Sequence, residues 1–415
     1  MLSRRYFLKG SALVAFAPVV PAFIPRMAEA AGADRDGRIL VVIQMDGGND
    51  GINTIVPFDD DGYGRNRRSL RIGPRELLKL NTHVGVSFAM QDAYDLYNDG
   101  RLAIVQGVGY PNPNRSHFES MAIWHTARPK DTNEEQRGWI GRAFDAAPRP
   151  KLAETRADPD AIFVGPEVMP KALVGRRINA VAMSRVEDLT LRLPVAPKNT
   201  NAPSQREPSG SAAGAPTPDV AAFVRRRVLE AYGTATALAD ANKSSAAGSE
   251  ARYPGGELAT RLRLISRLIK SGGGTRVFYA SQPGYDTHGA QRLQQDRLLG
   301  EFSSALKAFL EDLKSNGLDD RVLVMAFSEF GRRVTENDSA GTDHGTAGPV
   351  FIAGGRVKAG LVGPTPDLTD LEDGDLKVST DFRRIYATLL TEWLNAPANE
   401  VLGGDFQPMP LIRGA

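Results

Sequence analysis

The run Arg38-Ile39-Leu40-Val41-Val42-Ile43-Gln44-Met45 constrains this chain more than any other stretch. It is aliphatic and β-branched with no polar alternation, which suits a strand covered on both faces inside a parallel sheet. The run closes on Asp46-Gly47-Gly48-Asn49-Asp50-Gly51. An acid directly after a buried strand falls at the carboxyl edge of the sheet, where open α/β sheets bind ligands. The glycines serve either a turn or a close approach of backbone to a ligand, and both readings stay open. Asn49 belongs to the same loop.

Strand and helix patterns then alternate. Short apolar runs at 101–106, 161–164, 179–183, 275–281, 321–327 and 349–353 read as strands. Helical patterns fall at 76–80, 91–98, 116–127, 219–243, 257–270 and 381–394, with a further helix through Leu298, Phe302, Leu306, Phe309 and Leu313. This order implies an α/β fold, a three-layer and mostly parallel sheet with helices on both faces.

Several strands deliver acids and histidines to the same edge. Asp286-Thr287-His288 follows one. Ser328-Glu329-Phe330-Gly331-Arg332 follows another. Gly341-Thr342-Asp343-His344-Gly345-Thr346 is the loop between two of them. Two carboxylates ~4 Å apart repel by about 4 kcal/mol at an effective dielectric near 20. Asp46, Asp286, Glu329 and Asp343 therefore imply a divalent metal, and His beside Asp suits Zn or Mn better than Ca or Mg. The chain has no cysteine, so thiolate ligands and disulfides are excluded. Ser116 heads a helix with capping-box spacing to Glu119. The same hydroxyl would stand where an anion is favoured. His117 and His125 read as hydrogen-bonding residues rather than ligands.

The first 30 residues carry an address. Arg4-Arg5 precedes a modest apolar run at 12–20, and Ala28-Glu29-Ala30 offers a small-x-small cleavage pattern. This resembles a twin-arginine export signal. The apolar run is interrupted by Pro18 and is shorter than the ~20 residues a spanning helix needs, so no stable membrane span is expected. The expected partner is the twin-arginine translocase, and the expected location is the periplasm or the medium. Without 1–30, which hold Arg4, Arg5, Lys9, Arg26 and Glu29, the totals of 51 basic and 49 acidic residues become 47 and 48. A near-neutral chain has no nucleic-acid footprint. Residues 31–415 read as one domain, with a Pro-, Ser- and Gly-rich insertion at about 194–256.

Met45-Asp46-Gly47-Gly48-Asn49-Asp50-Gly51, Ser116-His117-Phe118, Gly284-Tyr285-Asp286-Thr287-His288-Gly289, Ser328-Glu329-Phe330-Gly331-Arg332 and Thr342-Asp343-His344-Gly345 resemble the exported bacterial family of unknown function numbered 1501. That family is similar to the alkaline phosphatase and sulfatase superfamily. The resemblance implies one or two metal ions, with Asp46, Asp343 and His344 as ligands and Asp286 and His288 at a second site. It also implies Ser116 as nucleophile, and Asn49, Glu329 and Arg332 in support. The Asp286–His288 spacing is shorter than the Asp-x-x-x-His common in alkaline phosphatases, and no histidine follows His344. The sulfatase Cys/Ser-x-Pro-x-Arg setting is missing around Ser116. Three functions follow: a metal-dependent hydrolase of small or polymeric phosphate or sulfate esters; a non-catalytic exported binding or assembly protein; and a metal-free serine hydrolase. The last ranks lowest because there is no GxSxG elbow.

Overall fold

A computed structural model describes residues 37–129, 136–147, 158–184 and 251–414. The export signal, the helix expected over 219–243 and nearly all of the 194–256 insertion lie outside the described residues.

The aliphatic run becomes strand β1 (Ile39–Asp46), and its alternate side chains feed two cores. Leu40 and Val42 face one, while Ile39, Val41, Ile43 and Met45 face the other. Eight strands join it in chain order: β2 (Leu102–Gly109), β3 (Ala161–Val164), β4 (Ala180–Met183), β5 (Val277–Pro283), β6 (Val322–Phe327), β7 (Gly348–Gly354), β8 (Gly360–Val362) and β9 (Thr380–Asp381). The sheet order is β8-β2-β7-β6-β1-β5-β3-β4, with β9 also beside β2. Only β7 runs antiparallel to its neighbours in this sheet. The carboxyl ends of β1, β2, β5 and β6 therefore open on one rim.

The main helices are α1 (Gln91–Asn98), α2 (His117–Thr126), α3 (Trp139–Ala146), α4 (Glu257–Lys270), α5 (Gln291–Ser315) and α6 (Phe382–Thr388), the last continuing as a π-helix over Leu389–Leu394. Helices α1, α4 and α5 cover one face of the sheet, and α2, α3 and α6 cover the other. This is the three-layer, mostly parallel arrangement that the strand and helix alternation implies. Leu298, Leu299, Phe302, Leu306, Phe309, Leu310 and Leu313 form the buried stripe of α5. Truncating any of these to Ala would cost about 2–5 kcal/mol. The helix stops in a Schellman turn. Gly317 N–H reaches Lys314 O, Leu318 N–H reaches Leu313 O, and Gly317 takes φ +68.

Two expectations shift. Residues 76–80 are not helical: a 3-10 turn at Pro74–Glu76 leads into a strand, Leu77–Lys79, paired with Gly85–Ser87. Leu77 gains burial in a small third core, and the Glu76 carboxylate caps the turn by accepting from Gly73 N–H. Helix α5 begins at Gln291, before its apolar stripe. Its first buried residues are Gln291 and Gln295, which hydrogen-bond to the rim loops and leave no apolar periodicity to read.

Candidate functional site

The rim loops lie main chain against main chain. Gly47 takes φ +120, and a Cβ on it would come 2.4 Å from Asp286 N. A Cβ on Gly341 would come 2.2 Å from the His288 carbonyl carbon. The glycines read from sequence are therefore needed for approach between loops. Arg332, only 2% exposed, stitches the same loops together. Its Nε donates to Gly48 O at 2.7 Å, Nη1 to Thr342 O at 2.8 Å, and Nη2 to Gly47 O and to Tyr285 O at 3.0 Å. Nη2 also reaches Asp286 Oδ1 at 2.8 Å. A buried guanidinium is tolerated because carbonyls and one carboxylate replace its water.

Helix α2 is docked on the loop after β6. Ser120 Oγ donates to Glu329 O at 2.6 Å and Trp124 Nε1 donates to the same oxygen at 2.8 Å. Trp124 is itself stacked between Phe327 and Phe382. The Glu329 side chain, 1% exposed, accepts from Gly47 N–H at 2.9 Å and from His117 Nδ1 at 2.8 Å. The first residue of α2 is thereby fixed in rotation and in tautomer.

Three of the chain's five histidines meet Asp286 at this rim. Asp286 Oδ1 lies 3.5 Å from His117 Nε2, 3.0 Å from His288 Nε2 and 3.2 Å from His344 Nε2. His288 Nε2 and His344 Nε2 are 3.0 Å apart. Each ring has an acceptor on its far side. His117 Nδ1 donates to Glu329, His344 Nδ1 donates to Arg115 O at 2.7 Å, and His288 Nδ1 faces Asp343 Oδ1 at 3.3 Å. A carbonyl only accepts, so His344 Nδ1 carries a proton, and in the neutral ring Nε2 then holds the lone pair. His117 Nε2 is buried and has no hydrogen-bond partner. Neutral rings in these tautomers present lone pairs to one another and to a carboxylate oxygen. Either a proton on one of these nitrogens or a cation between them would answer that arrangement, and an outer acceptor on each ring is the usual support of metal-ligating histidine. The donor set of imidazole nitrogens and one carboxylate fits Zn or Mn.

Electrostatics follow the same contacts. Burial would raise the Asp286 carboxyl, but the hydrogen bond and the charge of the Arg332 guanidinium outweigh it and bring the pKa to about 2. The Asn337 side chain holds Asp343 below the usual carboxylate range against a little burial, with His288 adding to it. The hydrogen bond to Glu329 raises His117 against burial.

The residues expected from sequence are placed unequally. Asp286, His288 and His344 come together, and His117, read as a hydrogen-bonding residue, joins them through its second nitrogen. Asp343 lies behind His288, bonded to it and to Asn337. Asp46 accepts from Gln44 Nε2 at 3.3 Å and stands by Glu329; burial and that charge raise its pKa. Asn49 is buried inside its loop, where its Oδ1 accepts from Thr54 and Gln295. Ser116 occupies the N-cap position without making a cap: Asn114 Oδ1 takes the Ser116 N–H that a capping box would give to Glu119, and the Ser116 hydroxyl makes no capping bond. The residue is exposed, one position before His117. His125 is buried and bonds Gln44 and Tyr279, as expected of it. His117 was legible in principle as the first histidine after β2, but the seven-residue approach from Tyr110 to Ser116 hid its nearness to the rim.

The chain belongs to the family described as "Protein of unknown function (DUF1501)", which matches residues 102–407. None of the curated proteins matches it. Among solved structures it is similar to a protein in the alkaline phosphatase superfamily from Vibrio parahaemolyticus, with 11% identity, a TM-score of 0.40, and 90% of this chain and 71% of that one covered. It is similar to the PsFucS1 sulfatase from Pseudoalteromonas sp., with 11% identity, a TM-score of 0.38, and 93% and 73% covered. It is also similar to the C-terminal periplasmic domain of EcEptC from Escherichia coli in complex with Zn, with 8% identity, a TM-score of 0.34, and 76% and 72% covered. Among the described residues no helix is long and apolar enough to cross a membrane.

Proposed function

We propose that the protein is an exported metal-dependent hydrolase of phosphate or sulfate esters. One observation carries this reading: the Nε2 atoms of His117, His288 and His344 face Asp286 Oδ1 while each Nδ1 faces an acceptor outside the group. Asp286, His117 and His344 would hold the ion, with His288 beside them. Once bound, such an ion polarises ester oxygens and neutralises the charge that builds on them. Arg332 keeps Asp286 ionised and aimed. Glu329 holds His117 in the tautomer that leaves Nε2 free.

Ser116 is the proposed nucleophile. Its exposed hydroxyl stands at the start of α2, beside His117. The Ser116 Oγ bond to phosphorus or sulfur forms as the ester oxygen departs, and the leaving alcohol takes up the proton that Ser116 gives. Water then releases phosphate or sulfate and restores the hydroxyl. Elemental analysis of purified protein, followed by a panel of phosphate and sulfate esters on the metal-loaded form, tests the reading. A stoichiometric divalent ion and turnover that a chelator abolishes are expected. Protein that neither retains nor takes up an ion would sink it.

Export rests on Arg4-Arg5 and the short apolar run behind them. Changing both arginines to lysine should leave the protein in the cytoplasmic fraction, and continued export of that variant would refute the twin-arginine route.

A further inference from the structure

Between the two best-supported ring donors lies a stretch of main chain that neither controls. His344 Nδ1 donates to the carbonyl of Arg115, and two residues on from that carbonyl the chain becomes His117. Whatever holds Arg115 therefore bears on both rings. The Arg115 side chain leaves this segment and pairs with Asp375 Oδ2. Asp375 lies in a small hairpin of strands Leu371–Glu372 and Asp375–Leu376, some 260 residues along the chain. Its side chain is 0% exposed and that of Arg115 is 39% exposed. The second Asp375 oxygen has no hydrogen-bond partner, and Arg333 Nε stands 3.9 Å from it. Arg333 is tied by its own N–H to Asp343 O, in the loop that carries His344.

A wholly buried carboxylate with an unused oxygen is a costly feature in a hairpin that could have been apolar. Its one strong contact leads to the segment that orients two rings. We infer that Asp375 is a positioning residue, acting through Arg115 to hold His344 in its Nδ1–H tautomer and to fix the approach of His117. This rests on the metal reading only for its consequence, because the tautomer exists with or without an ion. An arginine suits the role better than lysine in reach and in planarity, but lysine keeps the charge and can still pair with the carboxylate.

The test uses the whole chain without its export signal, labelled with 15N at histidine. Imidazole nitrogen shifts of the metal-free protein report which nitrogen of His344 carries the proton. Cobalt(II) substitution and zinc titration report the donor set. In Asp375→Asn and in Arg115→Met, His344 should populate both tautomers, and zinc affinity should fall by about tenfold or more, as expected for loss of an outer support. The cobalt spectrum should shift with it. Arg115→Lys should restore most of both. Because Asp375 is buried, Asp375→Asn is at risk of unfolding; the half-exposed Arg115 pair of variants carries the test in that case. If Arg115→Met leaves the His344 nitrogen shifts as in the parent, the inference is overturned. If the parent takes up no metal at all, the hydrolase reading falls, and the nitrogen shifts alone still decide the role of Asp375.

Discussion

Two polar clusters stand a few residues apart on the same rim loops, and they are built in opposite ways. The first centres on Asp50 and Arg67, both with side chains 0% exposed. Arg67 grips both Asp50 oxygens, donates Nε to Val334 O at 2.7 Å and Nη2 to Arg333 O at 2.8 Å. Gln291 completes Asp50. Every charge in this knot is answered by the chain. The second cluster is Asp286 with His117, His288 and His344. It is partly open to solvent, and its rings turn Nδ1 outward to acceptors and Nε2 inward to Asp286. A fold needs the first kind to tie loops together. In the second, Arg332 answers the Asp286 carboxylate at 2.8 Å, while the inward ring nitrogens have only one another and that carboxylate to face. On the proposed reading, the difference separates a structural knot from a site.

The largest expected effect breaks the knot. Arg67→Met leaves Asp50 buried and half-answered, and should cost about 3–5 kcal/mol in urea unfolding. Asp286→Asn should move the metal-free protein by no more than about 1 kcal/mol, because Asp286 is half exposed. Equal losses from the two variants would erase the distinction. Metal binding should invert the ranking. His117→Ala and His344→Ala each remove a donor and should weaken zinc binding by more than about 100-fold, beyond the range for outer supports. Chelation should lower the melting temperature of the loaded parent by mass action and leave those two variants unmoved. A parent indifferent to chelator would place the open cluster among structural features.

The sheet and its rim were legible because burial on both faces leaves an unbroken aliphatic run such as Ile39–Met45, and because an acid after several of the runs, at Asp46, Asp286 and Glu329, marks the edge. The site was half legible for a related reason. Asp286 and His288 sit on the loop that leaves β5 and His344 on the loop between β6 and β7, so their place after strands exposes them. Asp343 directly precedes His344 in the long loop between β6 and β7, yet backbone direction turns its carboxylate behind His288, and no residue spacing encodes that turn. His117 was read as a hydrogen-bonding residue rather than a ligand; only the Glu329 carboxylate, more than two hundred residues away, reveals which nitrogen makes that bond and which is left over. Asp375 has no signal at all in sequence, since its partner is set by the path of a two-strand hairpin. The Leu77–Lys79 strand was missed because five residues carry too little periodicity to outweigh helix-forming composition.

His125 extends the comparison to a histidine that the fold satisfies. Its Nε2 faces Gln44 Oε1 at 3.0 Å and Tyr279 OH at 3.3 Å, and burial pushes its pKa down to about 3. The unfolded chain takes up this proton near 6.5 and the folded chain does so only near 3, so the unfolded state binds more protons across that window. Stability attributable to this group is complete above about 6.5 and is lost as pH falls toward 3, at a slope of up to about 1.4 kcal/mol per pH unit. Urea midpoints of the parent and of His125→Gln across this range check it: the parent should lose more stability on acidification, by roughly one proton's worth. Parallel curves would mean that His125 is accessible to protons in the fold.

The smallest expected effect on stability is the most informative about chemistry. A Ser N-cap is worth about 1 kcal/mol when its hydroxyl accepts from the first helical turn. Ser116 makes no such bond, and the N–H of Ser116 is already taken by Asn114. Ser116→Ala should therefore change unfolding free energy by well under ~1 kcal/mol. It should leave zinc affinity as it is, because Ser116 is outside the group of Nε2 and carboxylate donors. In the proposed reaction the exposed Ser116 hydroxyl is the attacking group. Turnover of any ester identified in the panel should fall by several orders of magnitude in Ser116→Ala, since losing the covalent route raises the barrier without touching the ground state. Ser116→Asp should behave alike: folded, metal-loaded and inactive. If either variant turns over ester at the parent rate, the attacking oxygen is that of a water, and Ser116 is an exposed residue beside the site without a part in it.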